Sequence, residues 1–428
     1  MARDRSKDGD HRPMLQVLRG APRPVWVLIA GTFVNRVGSY FSTFVVLFLT
    51  ERGFGAGELP LVLAAIGVGA MAGSFAGGWL ADTVGRKRAI VGSMTASALA
   101  LIALALVSGH VAVVVAVCVV ALCTQSYIPA ASALLVDHSA PADRVALFAL
   151  FRVSLNVGAA LGPLIAALIA SSSYDLLFLI DSATCVLFAA VLLLGLPAEA
   201  RRPRARKEDR RDTATTSVAG GRRRMPAIAL LCLAIAGVTM VYSQHSSTLP
   251  LDLTEGGMST GFYALLLAFN GALVVIGELP LASLTRRYEP HRPMIVGALL
   301  MSVGMALSGL LPAAFAVLAA VAMWSLGEMV LTPVANSAVA AMSAPGRIAR
   351  DQGRLAAAQT LGFVVGPVIG LLAYGWSPLL PWLGCLAVGA ASALAIAAAH
   401  RLAASTRPRA DQPALAAAAA SAPTVAHA

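Results

Sequence analysis

The chain has 428 residues, of which 58% are hydrophobic and only 12% are charged. A soluble protein of this length needs far more charge to cover its surface, so the composition excludes an ordinary soluble domain. The net charge of +11 does not indicate nucleic-acid binding, because nearly all the cations lie in short segments between apolar runs, where basic residues set membrane topology.

Apolar runs of about 20 residues or more, long enough to cross a bilayer, recur along the chain. Because backbone polar groups must be satisfied within lipid, each run is predicted to be a helix. The predicted fold class is therefore an all-α membrane protein with twelve transmembrane helices. The twelve spans are about 24–50, 59–81, 89–108, 111–137, 146–171, 175–196, 226–251, 259–284, 293–312, 314–342, 352–374 and 378–402.

Basic residues are concentrated on one side of the predicted membrane. With the N-terminus in the cytoplasm, the inside segments hold all but three of the 32 Lys and Arg residues. The exceptions are Arg52 in an outside loop, and Arg36 and Arg152, which lie inside or at the edge of a span. The positive-inside rule therefore predicts that both termini are cytoplasmic. The bias towards Ala, and towards Arg over Lys, favours a bacterial source, so a bacterial cell membrane is the expected location.

The two halves of the chain repeat each other at a constant offset of 204 residues. The segment "LTERG" (49–53) matches "LTEGG" (253–257), and "GAALGP" (158–163) matches "GFVVGP" (362–367). Such a duplication predicts two pseudo-symmetric six-helix bundles with a site between them. The predicted domains are a cytoplasmic tail at 1–23, a bundle at 24–196, a flexible cytoplasmic linker at 197–225, a second bundle at 226–402 and a disordered tail at 403–428.

The loop after the second span, "GGWLADTVGRKR" (77–88), closely resembles the loop signature of the major facilitator superfamily. In that family the loop is thought to latch the two halves together on the cytoplasmic side. The resemblance implies this gating role for Gly78, Asp82, Gly85, Arg86, Lys87 and Arg88. The second-half counterpart, "LASLTRRYEPHR" (281–292), keeps the cations but lacks the Asp–Gly pattern, so one clear latch is expected.

A glycine and proline motif in the fifth span resembles one found in proton-coupled exporters of the family. Small residues four apart allow close helix packing, and proline kinks a helix. Because the motif recurs in the eleventh span, a duplicated packing device explains both copies, and the motif only leans towards export. The two copies consist of Gly158, Gly162 and Pro163, and of Gly362, Gly366 and Pro367. The fourth span, "CTQSYIPA" (123–130), lacks the arginine that drug exporters of the family carry there.

The resemblance also implies that spans 1, 4, 7 and 10 line a central cavity. An ionisable group inside a span costs roughly 3 kcal/mol or more and is a functional candidate. Arg36 lies near mid-depth, and Glu328 is its predicted partner. Asp181 and Asp137 are predicted helix-end groups, with Arg86 or Arg144 as alternative partners of Asp137. The candidate substrate and proton pathway comprises Arg36, Gln125, Tyr242, Gln244, His245, Glu278, Trp324 and Glu328.

The favoured function is proton-coupled efflux of amphipathic small molecules by alternating access. Burial favours the neutral form of a carboxyl group, which would let Glu328 or Glu278 exchange protons. The expected partners are the lipid bilayer, a small-molecule substrate and protons, with the proton gradient as energy source. No cofactor, metal, nucleic acid or enzymatic activity is expected, and the chain is expected to be a monomer.

Two alternative functions remain open at this point. One is proton-coupled transport of a specific carboxylate-bearing metabolite or peptide, in which Arg36 would bind the carboxylate. The other is a membrane sensor or scaffold that has lost transport. A primary pump is not expected, because the sequence contains no ATP-binding loop of the GxxxxGK[ST] type.

Overall fold

A computed structural model describes residues 13–55, 58–169, 174–197, 209–311, 313–344 and 346–405. Within these ranges the regular structure is helical. The first half contains α1 (Met14–Arg19), α2 (Arg23–Val37), α3 (Phe41–Glu51), α4 (Leu59–Val84), α5 (Arg86–Leu106), α6 (His110–Asp137), α7 (Arg144–Ile169) and α8 (Tyr174–Gly195). The second half contains α9 (Asp209–Tyr242), α10 (Thr248–Glu255), α11 (Thr260–Thr285), α12 (His291–Leu310), α13 (Ala314–Met342), α14 (Ile348–Trp376) and α15 (Leu380–Ser405).

The predicted all-α membrane fold is confirmed, with one difference in the first span. The described residues contain eleven helices long and apolar enough to cross a membrane. The remaining predicted span, the first, is divided into α2, of 15 residues, and α3, of 11 residues. Each piece is too short to span a bilayer alone, so the first span is a broken helix.

The break at residues 38–40 has a local and a distant cause. A Cβ atom on Gly38 would collide with Cγ2 of Thr184, so only glycine allows α2 to approach α8 this closely. One carboxylate oxygen of Asp181, on α8, accepts the backbone N–H groups of Tyr40 and Phe41 at 3.0 and 3.1 Å. Asp181 therefore caps the start of α3, in place of the intrahelical bonds that are lost at the break.

The seventh span is interrupted at the equivalent point. After α9 the backbone tightens into a 3₁₀-helix at Ser243–Ser246, and α10 follows. Residues 243–246 lie 204 positions after 39–42. The internal repeat seen in the sequence thus extends to an irregularity of the backbone, which supports the duplication of a six-helix unit.

The segment predicted to be a flexible linker differs from expectation. Residues 198–208 lie outside the described part of the chain, but 209–225 form the first turns of α9. The sequence from 209 to 225 contains no proline to end a helix, so it can continue the helical backbone of the seventh span. The predicted disordered tail lies outside the described residues, except for 403–405, which end α15.

Each half has its own buried core, and the halves meet mainly through two helix pairs, with smaller contacts of α14 on α6 and of α13 on α7. One core cluster is built almost entirely from α1–α8, and the other mainly from α9–α15. Helix α4 packs against α14, and α7 packs against α11. This arrangement leaves space between the two bundles for a cavity.

Candidate substrate cavity

A cavity of about 340 Å³ lies between the two halves. Its walls come chiefly from α2, α6 and α7 of the first half and from α9, α13 and α14 of the second. Spans 5 and 11 therefore contribute beside the four expected from the resemblance. Four predicted pathway residues lie on the wall: Arg36, Gln125, Tyr242 and Glu328. Other polar lining residues are Ser132, Arg152, Asn156, Thr239, Thr332, Asn336, Gln359 and Thr360.

An ionic bridge joins the two halves at the wall of this cavity. Arg152 donates through Nε to Oε1 of Glu278 at 2.8 Å and through Nη2 to Oε1 of Glu328 at 2.9 Å. The arginine belongs to α7, whereas the glutamates belong to α11 and α13. Glu278 is completely buried, and Glu328 is 12% exposed. One guanidinium of the first half thus holds two carboxylates of the second.

The expected pair between Arg36 and Glu328 is not formed in this structure. Glu328 is bonded to Arg152 instead. No acidic oxygen in the described part of the chain lies within 4.0 Å of the Arg36 guanidinium. In the sequence, Arg152 stands out as an exception to the topology rule but was not predicted to be a pathway residue. The criterion that singled out Arg36, a charge in an apolar run, would also have found it.

Gln244, His245 and Trp324 lie behind the wall of the cavity. Gln244 donates to the carbonyl of Gly366 at 2.8 Å and accepts from the Thr248 hydroxyl at 2.6 Å, so it fixes the break in the seventh span. The rings of His245 and Trp324 pack around Tyr242, with centroid distances of 4.6 and 5.7 Å. These side chains support the tyrosine that faces the cavity.

The glycines of the duplicated motif hold the broken spans in place. A Cβ atom on Gly158 would lie 2.6 Å from Cβ of Arg36, and one on Gly162 would lie 2.9 Å from the carbonyl of Val37. In the second half, a Cβ atom on Gly362 would lie 2.5 Å from the carbonyl of Ala236. Gly366 likewise packs against Met240 and Ser243. Glycine at these positions therefore allows α7 and α14 to pack closely on α2 and α9.

Each glycine pair is followed directly by a proline in the same helix. Pro367 lies inside α14. Pro163 lies in α7, but its side chain is outside the described part of the structure.

The loop that resembles the family signature joins the halves on the predicted cytoplasmic side. Asp82 accepts the backbone N–H groups of Ala349 at 3.3 Å and Arg350 at 2.9 Å, at the start of α14. A carboxylate is favoured there by the partial positive charge of a helix N-terminus. Arg86 binds Asp82 at 2.6 Å and Asp137 at 3.1 Å, which was one of the expected alternatives for Asp137.

The remaining loop residues shape this contact. Gly85 has a φ of +103°, a conformation that L side chains rarely adopt, and it turns the chain from α4 into α5. A Cβ atom on Gly78 would lie 2.5 Å from the carbonyl of Ala349. Lys87 donates to backbone carbonyls at the end of α8, and Arg88 is exposed.

A second contact between the halves lies on the same side. Arg286, directly after α11, has Nη1 4.0 Å from a carboxylate oxygen of Asp143, directly before α7. The Arg286 side chain is only 4% exposed. Burial lowers the pKa of Arg286, and the Asp143 carboxylate opposes that shift. The sequence predicts one clear latch, and this second pair was not predicted because the second-half loop lacks the Asp–Gly pattern.

These features define a membrane transporter of two six-helix halves, with a cavity between them and polar contacts that close one side. The family model of the Major Facilitator Superfamily matches residues 28–301 and 231–426, and the chain belongs to that family. The resemblance seen in the sequence is therefore confirmed.

Individual relatives are distant but cover most of the chain. The MFS-type transporter YqjV of Bacillus subtilis (strain 168) is 26% identical over 364 residues, which are 81% of this chain and 85% of YqjV. The multidrug resistance protein MdtH of Aeromonas hydrophila is 24% identical over 356 residues, 81% of this chain and 87% of MdtH. The structure of the human organic anion transporter MFSD10 (TETRAN) has a TM-score of 0.68 at 15% identity and covers 87% of this chain and 99% of its own. The structural likeness shows the fold.

Proposed function

We propose that this chain is a proton-coupled secondary transporter that exports amphipathic small molecules by alternating access. The observation that carries the proposal is the bridge from Arg152 to Glu278 and Glu328. Because the arginine and the acids belong to opposite halves, the protonation state of the acids bears directly on how strongly the halves attract each other. The energy source is the proton gradient, without a cofactor.

The bridge has room for a proton. Glu278 and Glu328 each use Oε1 for Arg152, while Oε2 of each is buried and accepts no bond from Arg152. The Tyr242 hydroxyl is a neighbouring donor for the Glu328 carboxylate. A proton can therefore bind at Oε2 without displacing the arginine. Glu328 lines the cavity and Glu278 does not, so protons reach Glu328 first. Neutralising a carboxylate weakens its attraction to a cation, most strongly where water is excluded.

A cycle of opening and closing follows from these contacts. In the observed conformation, the bridge is formed and Asp82 holds the start of α14 on the predicted cytoplasmic side. A proton that arrives from outside weakens the bridge and favours opening towards the cytoplasm. Substrate then enters as the proton leaves, the carboxylate binds Arg152 again, and the halves close behind the substrate.

The cavity suits an amphipathic substrate. Phe151, Tyr242 and Phe363 supply aromatic surface, while Gln125 and Asn336 supply polar groups, a combination typical of small-molecule sites. The name of the relative MdtH, a multidrug resistance protein, also supports export of such compounds. The cavity lies within one chain, which supports function as a monomer. The concentration of basic residues on one side of the spans supports a cytoplasmic location of both termini in a bacterial cell membrane.

The alternative of a carboxylate-bearing substrate is favoured by Arg36, whose guanidinium lines the cavity without an acidic oxygen of the described residues within 4.0 Å. The two proposals are compatible, because an amphipathic molecule can carry a carboxylate.

Everted membrane vesicles with an internal acid load, monitored by a pH-sensitive dye, test the proposal directly. Addition of an exported compound should release protons from vesicles that contain the wild-type chain. Vesicles with the Glu328→Gln variant should show no release. The matched control is Glu58→Gln, which changes an exposed glutamate outside the spans and should behave as wild type. Proton release by Glu328→Gln at the wild-type rate would contradict the proposed coupling.

A further inference from the structure

Arg36 occupies the junction between two cavities. It lies in the last turn of α2, two residues before the break in the first span. It lines the central cavity of about 340 Å³ and also a smaller cavity of about 100 Å³ within the first half. The close contact of Gly158 with Cβ of Arg36 holds the base of the side chain against α7. The guanidinium is thus presented to open space from a fixed backbone.

The acidic groups around Arg36 are already engaged. Asp181 lines the smaller cavity with Arg36 and attracts its guanidinium through space, but it forms no direct ion pair with it, and one of its oxygens accepts the two N–H groups at the start of α3. Glu328 lines the central cavity and is bonded to Arg152. Neither carboxylate lies within 4.0 Å of Arg36, which forms no side-chain hydrogen bond among the described residues.

A charged group at this depth in the membrane needs an ionic partner, hydrogen bonds or water. An arginine inside a span is costly unless it is paired or hydrated, and Arg36 lies too deep to reach an interface easily. Among the described residues, Arg152 is the other cation on the wall of the central cavity, and its Nε and Nη2 groups donate to two glutamates. Arg36 is therefore the cation that a bound molecule can engage without breaking a bridge between the halves.

The surroundings of Arg36 fit one anionic group attached to an apolar body. A guanidinium offers parallel N–H donors that match the two oxygens of a carboxylate. Gln125 lines both cavities together with Arg36, Asn156 lines the central cavity, and their amides can complete the hydrogen bonds of an anion. The nearby wall also carries Phe151 and Ile128, which can pack against an apolar body. Glu328, on the other half, would repel a second anionic group.

From this geometry we infer that Arg36 is an anion-binding subsite and that the substrates are amphipathic monoanions with a carboxylate. The inference rests on the proposed transport function for its biological meaning, but binding itself requires no proton gradient. It also predicts which end of the substrate faces which half, with the carboxylate at Arg36 of the first half and the apolar body towards Tyr242 of the second.

Three probes of one shape separate charge from hydrophobicity: 2-naphthoate, 2-naphthylmethanol and 2-naphthylmethylamine. Their binding to the purified full-length chain in detergent is measured by isothermal titration calorimetry. An ionic hydrogen-bonded contact is worth enough for naphthoate to bind about tenfold more tightly than the neutral alcohol. The amine should bind more weakly than naphthoate.

Variants then place the contact at Arg36. Arg36→Gln should lose about tenfold in affinity for naphthoate while its affinity for the alcohol changes by less than about twofold. Arg36→Lys should recover only part of the loss, because a point charge cannot reproduce the two-pronged contact. The matched control is Arg52→Gln. Arg52 is bonded to Asp175 and to backbone carbonyls away from the cavity, so its replacement should leave all three affinities unchanged.

Several outcomes overturn the inference. If naphthoate binds the wild-type chain no more tightly than the alcohol does, or if neither probe binds, the anion subsite is contradicted. This result does not depend on whether a variant folds. An equal loss of both probes in Arg36→Gln contradicts a specific role for its charge. If naphthoate binding depends on Arg36 but vesicles show no proton release with any compound, the subsite stands and the proposed proton coupling fails.

Discussion

The two halves share a scaffold but carry opposite charges at the cavity. The first half contributes two arginines, and the second contributes two glutamates that meet one of those arginines. At an offset of 204 residues none of the four charges is repeated. The equivalents of Arg36, Arg152, Glu278 and Glu328 are Met240, Ala356, Ser74 and Thr124. The packing is thus common to both halves, whereas the ionic bridge uses charges that are not repeated and can form only between the halves.

The same inversion occurs at the predicted cytoplasmic side. Asp82, in the last turn of α4, binds the start of α14. Its equivalent in the repeat is Arg286, after α11, which faces Asp143 at the start of α7. The two copies of the loop therefore make corresponding contacts between the halves with reversed polarity.

Breaking the bridge should have the largest effect. Arg152→Gln leaves two carboxylates in the protein without their cation, one of them completely buried. Removal of one partner of a buried ion pair typically costs about 3–5 kcal/mol. We expect a large fall in the unfolding temperature of the detergent-purified chain and a low abundance in the membrane.

Neutralising the two glutamates as well tests whether their unpaired charges cause the instability of Arg152→Gln. The combination of Arg152→Gln with Glu278→Gln and Glu328→Gln should regain most of the stability but not proton coupling. The single variant Arg52→Gln, which removes an arginine from a more exposed pair, is the control. Equal instability of the single and triple variants would contradict the bridge.

Breaking the two latches should have unequal effects. Asp82 is 1% exposed and accepts two backbone N–H groups, so Asp82→Asn should weaken the closed conformation by about 1–3 kcal/mol. Asp143 is 20% exposed and 4.0 Å from its partner, so Asp143→Asn should cost at most about 1 kcal/mol. Transport assays should show a strong loss for Asp82→Asn at near-normal abundance and a small loss for Asp143→Asn. A larger loss for the second variant would reverse our ranking of the latches.

Much of this organisation could be predicted from the sequence, and the limits have physical reasons. Hydrophobic length gives the spans, and the constant offset gives the duplication. The break in the first span depends on Asp181, which is 141 residues from Tyr40 in the chain. The partner of Glu328 depends on how the helices are rotated and packed, which composition does not determine. The linker was misjudged because polar residues allow either a loop or a solvated helix.

Substitution of the equivalent glycines separates an effect on helix packing from an effect on anion binding. Alanine at Gly158 or at Gly362 should overpack its helix pair and destabilise the chain by about 1–3 kcal/mol. Only Gly158→Ala displaces Arg36, so only this variant should also weaken naphthoate binding relative to the neutral alcohol. Thermal unfolding and calorimetry on both variants check this. Loss of naphthoate selectivity in Gly362→Ala would show that the selectivity does not reside at Arg36.

The smallest effect is expected from cysteine substitutions that report topology. In a cysteine-free background, cysteines at Gly256 and Ser377 should react with a membrane-impermeant reagent added outside the cell, and a cysteine at Gly220 should not. Transport by these variants should be close to that of the wild type. External labelling at Gly220 would overturn the predicted orientation of both halves.

The central claim is that protons act through the carboxylates that Arg152 holds. The most direct measurement is transport in proteoliposomes as a function of an imposed pH gradient, for wild type, Glu328→Gln and Glu278→Gln at equal protein content. We expect transport by the wild type to be driven by the gradient. Transport by Glu328→Gln should be independent of the gradient, and this variant should still bind substrate. If only Glu278→Gln loses the dependence of transport on the pH gradient, the carboxylate that binds the proton is Glu278, on α11. Unchanged gradient dependence in both variants would contradict the claim.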